Sequence, residues 1–212
     1  MKKSYIIGAV ILLVVIVGSF VVYEHSPTAK YQKGLHYYKE KNYKKALPLF
    51  EEAAKHNYAP AEEKLGYMYL KGQHYNKAAY WLKKAAHQGN ARAEDDLGHM
   101  YLAKADLDTI VSHLIGIGRG TKNYQKAIYW FKKAAHQGNA RAENDLGNIY
   151  LNGWGVPQDY RKAAYWFKKA AEQGFTKAEN NLGYMYEHGL GVPQDYSKAK
   201  YWFKKALKKE IH

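Results

Sequence analysis

Residues 142–174 read "AENDLGNIYLNGWGVPQDYRKAAYWFKKAAEQG", and 36 positions later residues 178–207 read "AENNLGYMYEHGLGVPQDYSKAKYWFKKAL". In the first copy Ala142, Leu146 and Tyr150 fall at i, i+4 and i+8, one stripe of a helix. Ala163, Trp166/Phe167 and Ala170 form a second stripe. Between them Gly153 and Gly189 suit a left-handed residue that ends the first helix. Val156 and Val192 plug the gap, and Pro157 and Pro193 stiffen the turn. Asp159 and Asp195 stand where they can cap the second helix. Each copy therefore predicts two short helices, and the repeated "GVPQDY" is a structural turn.

The pattern extends through the chain. Aligning on the glycine of the "LG" pair, or its equivalent, gives Gly34, Gly66, Gly98, Gly147 and Gly183, at intervals of 32, 32, 49 and 36 residues. Such self-similarity predicts an α-solenoid, with units that start at Ala29, Ala61, Ala93, Ala142 and Ala178. Second helices read "KAAYWLKKAA", "KAIYWFKKAA", "KAAYWFKKAA" and "KAKYWFKKAL". Gly89, Gly138 and Gly174 break the chain after three of them. In the two leading units the second-helix stripe lies closer to the glycine, as in tetratricopeptide repeats: Ala46, Phe50 and Ala53 after Gly34, and Ala78, Leu82 and Ala85 after Gly66. The last two units insert four more residues at the turn. Asn42, His74 and Asn123 hold the cap slot in the other units.

The succession A-x-x-x-L-G-x-x-Y, G-x-G-V and D-x-x-K-A-x-x-W-x-x-K-A-A resembles the Sel-1-like repeat family, with two full copies and three short or interrupted ones from Ala29 onward. The resemblance implies an all-α, right-handed superhelical solenoid of about five two-helix repeats, tetratricopeptide-like, and a role as adaptor or scaffold in bacterial envelope processes, signalling or host contact. It is nearly silent on activity. Some members are disulfide-bonded. This chain has no cysteine, which sets it apart from them and excludes thiolate nucleophiles and Cys-type metal sites.

The N-terminus reads "MKKSYIIGAVILLVVIVGSFVVYEHS". As a helix, residues 5–23 would span roughly 28 Å, close to the hydrocarbon thickness of a bilayer. They read as an uncleaved single-pass anchor after a short tail (1–4) and before a linker (24–28). A cleavable signal peptide is the alternative, with secretion as its consequence. Lysines flank both sides, so orientation rests on the habit of N-terminal apolar segments to act as export signals. The expected location is a bacterial inner membrane, with the repeats (29–212) in the periplasm.

The third unit carries an insertion, 103–115. Leu107, Ile110, Val111, Leu114 and Ile115 fall at helical spacing. Two readings are open: a longer first helix packed on its neighbours, or an exposed apolar ridge that docks a partner. "GIGRGTKN" at 116–123 lacks the phosphate-loop pattern and no strand precedes it, so it reads as a degenerate turn.

Ten histidines prompt a metal search, but no H-E-x-x-H occurs. His87 and His136 sit at equivalent places of a duplicated surface. No catalytic constellation, cofactor motif or metal signature emerges, and the chain reads as non-enzymatic, with a hydrolase or transferase of envelope material as the third alternative.

Two surfaces remain. By analogy with tetratricopeptide geometry, first helices line a concave groove, where Glu63, Tyr67, Asp95, His99, Asn144, Asn148, Asn180 and Tyr184 would hold an extended peptide or protein partner. Second helices carry Lys83-Lys84, Lys132-Lys133, Lys168-Lys169 and Lys204-Lys205. With a net charge of +14, they offer a basic face to anionic lipid or envelope polymer, or else a solvated face whose lysine stems cover aromatic rings. Nucleic acid is disfavoured because no base-reading motif is present. The terminal "KKALKKEIH" is read either as soluble through its lysines or as an end that docks a partner or a second copy.

Overall fold

The computed structural model describes residues 26–115 and 121–210; the apolar stretch 5–23 and most of "GIGRGTKN" lie outside them. Among the described residues there are ten helices and no strand. They are α1 (Pro27–Lys39), α2 (Tyr43–Lys55), α3 (Ala59–Lys71), α4 (Tyr75–His87), α5 (Ala91–Ile115), α6 (Thr121–His136), α7 (Ala140–Asn152), α8 (Tyr160–Glu172), α9 (Thr176–His188) and α10 (Tyr196–Glu210). Odd-numbered helices are the first, and even-numbered the second, of five helix pairs. The chain divides into two compact units between Gln88 and Gly89. Among the described residues no helix is long and apolar enough to cross a membrane.

The "LG" glycines let the two helices of a pair meet. A Cβ at Gly147 would stand 2.5 Å from the Phe167 ring, and one at Gly98 equally close to Phe131. In the first unit Gly34 faces Phe50 and Gly66 faces Leu82 in the same way. The helical cost of glycine, about 1 kcal/mol, is offset by burying these rings completely. Alanines fill the remaining contacts, with Ala46, Ala53, Ala54 and Ala61 fully buried around Phe50.

The long turns form as expected. Gly153 and Gly189 end α7 and α9 at φ 70° and 65°. Asp159 and Asp195 accept the backbone N–H of Lys162 and Lys198 at 3.0 and 2.9 Å. The second glycine of each turn has its own reason: a Cβ at Gly191 would lie 2.2 Å from the Tyr160 carbonyl. Asn42 caps α2 through Lys45 N–H. Asn123 departs from the expected cap slot, because α6 already begins at Thr121 and places it inside the first turn. His74 precedes α4 without a side-chain cap bond. The insertion 103–115 is helical and continues α5 to 25 residues. There Ala105 is buried and Leu107 exposed; the side chains of Ile110, Val111, Leu114 and Ile115 lie outside the described residues.

Candidate functional site

The first helices share a glutamate that the sequence reading did not single out. Glu62, Glu94, Glu143 and Glu179 are buried, each directly after a fully buried alanine. Each meets a lysine of its second helix: Lys84 at 3.0 Å, Lys133 at 3.2 Å, Lys169 at 3.2 Å and Lys205 at 3.4 Å. Gln88, Gln137 and Gln173 donate to the other carboxylate oxygen of Glu62, Glu94 and Glu143 at 2.6–2.7 Å. The same lysines lie over Trp81, Trp130, Trp166 and Trp202, 5.2 Å from the first three ring centres and 4.7 Å from the last. A charge taken out of water needs this combination of a counter-ion and a hydrogen bond.

The lysine pairs therefore divide. Lys84, Lys133, Lys169 and Lys205 belong to these clasps, which corrects their place in a uniform basic face: their ammonium groups already face a buried carboxylate. Lys83, Lys132, Lys168 and Lys204 are exposed. Tyr80, Tyr129, Tyr165 and Tyr201, each more than half exposed, stand three residues before them.

The expected groove residues fall into two groups. Glu63, Asp95 and Asn144 are almost wholly buried, so they are packing partners of the helices rather than open contacts. In the first unit Tyr67 is half-buried beside Lys64 and Lys71. In the second unit Asn180 and Tyr184 are exposed, with Tyr184 stacked on His188 at 4.1 Å. Asn180, Tyr184 and His188 follow at i, i+4 and i+8 and so form one row on α9. Asn148 is half-buried on α7, and Asn152 donates to its carbonyl at 2.8 Å.

The second unit also holds a polar network that sequence spacing alone did not connect. Asp95 and His99 lie on one face of α5, four residues apart, and Asp145 reaches them from α7. His99 Nε2 stands 2.9 Å from Asp145 Oδ2 and 3.7 Å from Asp95 Oδ1. The His99 ring meets the edge of Phe131, 5.1 Å between centres. Arg141 lies 3.2 Å from Asp95 Oδ2 and 3.8 Å from Asp96. Asn181 donates to Asn144 Oδ1 at 3.0 Å, and Asn144 approaches Asp145 Oδ1 at 3.5 Å. Burial pushes the Asp95 carboxyl up to about 6, against the pull of His99 and Arg141 and with a further push from Asp145 and Asp96.

The Sel1 repeat family model matches residues 28–58, 59–90, 111–139, 140–175 and 176–210. A crystal structure of a Sel1 repeat protein from Oxalobacter formigenes is 32% identical over 88% of this chain and 72% of that one, with a TM-score of 0.73. The immunity protein Pa5087 from Pseudomonas aeruginosa shares the fold at 21% identity, over 92% of this chain and 73% of that one, with a TM-score of 0.60. A Sel1 repeat protein from Klebsiella pneumoniae also shares it, at 21% identity over 86% of this chain and 90% of that one, TM-score 0.55. No curated protein matches the sequence.

Proposed function

The chain belongs to the Sel1 repeat family, and from that premise we propose that it is a non-catalytic scaffold which binds a protein or peptide partner along its first helices. Sel1 repeat proteins generally mediate protein–protein interaction. The observation that carries the reading is the exposed row Asn180, Tyr184 and His188 on α9, together with the half-buried Asn148 on α7. Amide side chains offer both a donor and an acceptor to an extended backbone, and a stacked Tyr–His pair offers a flat apolar surface. The residues 5–23 support a membrane tether, with the repeats on the periplasmic side of an inner membrane.

The test is affinity capture of the full chain from detergent-solubilised membranes, beside an Asn148→Ala/Asn180→Ala/Tyr184→Ala variant. Asn144 is left intact because it is buried and bonded to Asn181. A partner retained at 0.3 M salt by the parent and lost by the variant is expected, where ~0.3 M already screens exposed charges strongly. A partner captured equally by both refutes the reading.

A second reading rests on the exposed Lys83, Lys132, Lys168 and Lys204: attraction of anionic lipid or envelope polymer to the second helices. Its mark is binding that collapses as salt rises and is indifferent to the α7 and α9 substitutions.

A further inference from the structure

We propose that Asp95 Oδ1, His99 Nε2 and Asp145 Oδ2 form a three-donor site for a divalent transition-metal ion of the zinc class. The three atoms come from two neighbouring helices and lie within 4.8 Å of one another. Donors about 2.1 Å from a shared ion stand roughly 3–3.5 Å apart, and the two His99 separations, 2.9 and 3.7 Å, bracket that range. An imidazole with two carboxylates is a donor set suited to zinc and its neighbours, with the remaining positions left to water.

The independent sign is what these atoms lack. Asp95 is 3% exposed, yet its Oδ1 has no hydrogen-bond partner; the buried His99 Nε2 and Asp145 Oδ2 face only each other, at 2.9 Å, and Asp95 Oδ1. The carboxylate oxygens on the far side are engaged, Asp95 Oδ2 by Arg141 and Asp145 Oδ1 by Asn144. Each carboxylate is thus held from behind with its other oxygen turned toward His99, the outer support that oriented metal ligands require. Glu62 and Glu143 also have an oxygen without a hydrogen bond, but a lysine ammonium stands 3.0–3.2 Å from it.

The next repeat provides an internal comparison. Counted from the "LG" glycine, Asp95, His99 and Asp145 correspond to Asn144, Asn148 and Asn181. There the arrangement is neutral, and Asn181 closes it by donating to Asn144 at 3.0 Å. The same backbone thus carries an amide version that needs no ion and an ionisable version whose three inner atoms converge on one another. Carboxylates and neutral imidazole are the states that bind metal.

The test uses the full chain in detergent, stripped with chelator and titrated with Co²⁺ near pH 7.5, then with Zn²⁺ in competition. One equivalent of Co²⁺ should develop a visible d–d band that Zn²⁺ removes, and Zn²⁺ should raise the melting temperature. The Asp95→Asn/His99→Asn/Asp145→Asn variant adopts the amide set of the next repeat. It should keep the helical spectrum and bind at least about 100-fold more weakly. His99→Asn alone should lose the band as well, and it decides the matter if the triple variant does not fold. Failure of the parent to bind saturably overturns the proposal, as does equal binding by His99→Asn. In the first case His99 simply bridges the two aspartates; in the second the metal sits on other histidines.

Discussion

Lys168 is exposed and meets Glu172 at 3.7 Å on its own helix, whereas its neighbour Lys169 reaches the buried Glu143 and lies over Trp166. Replacing Lys169 with Met should cost about 2 kcal/mol, since Glu143 keeps only Gln173 as a strong partner. Lys168→Met should stay within about 0.5 kcal/mol of the parent. Urea unfolding of the two variants measures the difference; equal losses would mean that the clasp contributes nothing. The sequence showed that the KK pairs recur but not that their members differ. Glu143 and Lys169 sit on separate helices, and pairing them requires the helix register. The Asp95–His99 half of the polar cluster was visible as an i, i+4 pair, while Asp145 belongs to the next repeat. Aligning the repeats position by position, Asp95, His99 and Asp145 against Asn144, Asn148 and Asn181, was the signal that could have found it.

Helix pairing depends on two kinds of glycine, and substitution separates them. Gly147→Ala drives a Cβ into Phe167 and should cost about 1–3 kcal/mol through overpacking, with Gly147→Ser no better. Gly138 has open space but a φ of 78°, so Gly138→Ala should cost about 1–2 kcal/mol and Gly138→Asn much less. Thermal unfolding of the four variants checks this; relief of the Gly147 defect by Ser would contradict the packing account. The caps make an electrostatic prediction. The backbone N–H of Lys162 and Lys198, then their side chains, hold the Asp159 and Asp195 carboxyls below the ordinary carboxylate value. A depressed native pKa contributes stability above the unfolded value, about 4, and loses it as pH falls through the native one. The melting-temperature advantage over Asp159→Asn/Asp195→Asn should therefore be constant near neutrality and shrink below about pH 4. An advantage unchanged at pH 2 would contradict it. These elements were legible because glycine, proline and aspartate punctuate a helical period. Asn123 was misplaced because the third unit lacks that punctuation and α6 starts earlier.

For the whole molecule, charge is the property most open to misreading. Among the described residues seven acidic side chains are buried, so the accessible surface is richer in lysine than in carboxylate. Such a chain attracts anions without specificity, and retention at low salt says little about its role. The repeat architecture was legible from 29 onward, since five copies of one pattern can bury their apolar stripes only against each other. Its working face was less so: three of the eight expected groove residues, Glu63, Asp95 and Asn144, proved buried, because their helical positions turn inward between neighbouring helices. Tyr184 on α9 and Tyr201 on α10 are both exposed tyrosines, one on a first helix and one on a second. The decisive measurement places a photo-crosslinking amino acid at 184 or at 201 in the full chain and irradiates intact cells. A discrete protein adduct from position 184, absent from 201, is the expected result. An adduct from 201 alone, or none from 184 when 201 reacts, would contradict recognition by the first helices.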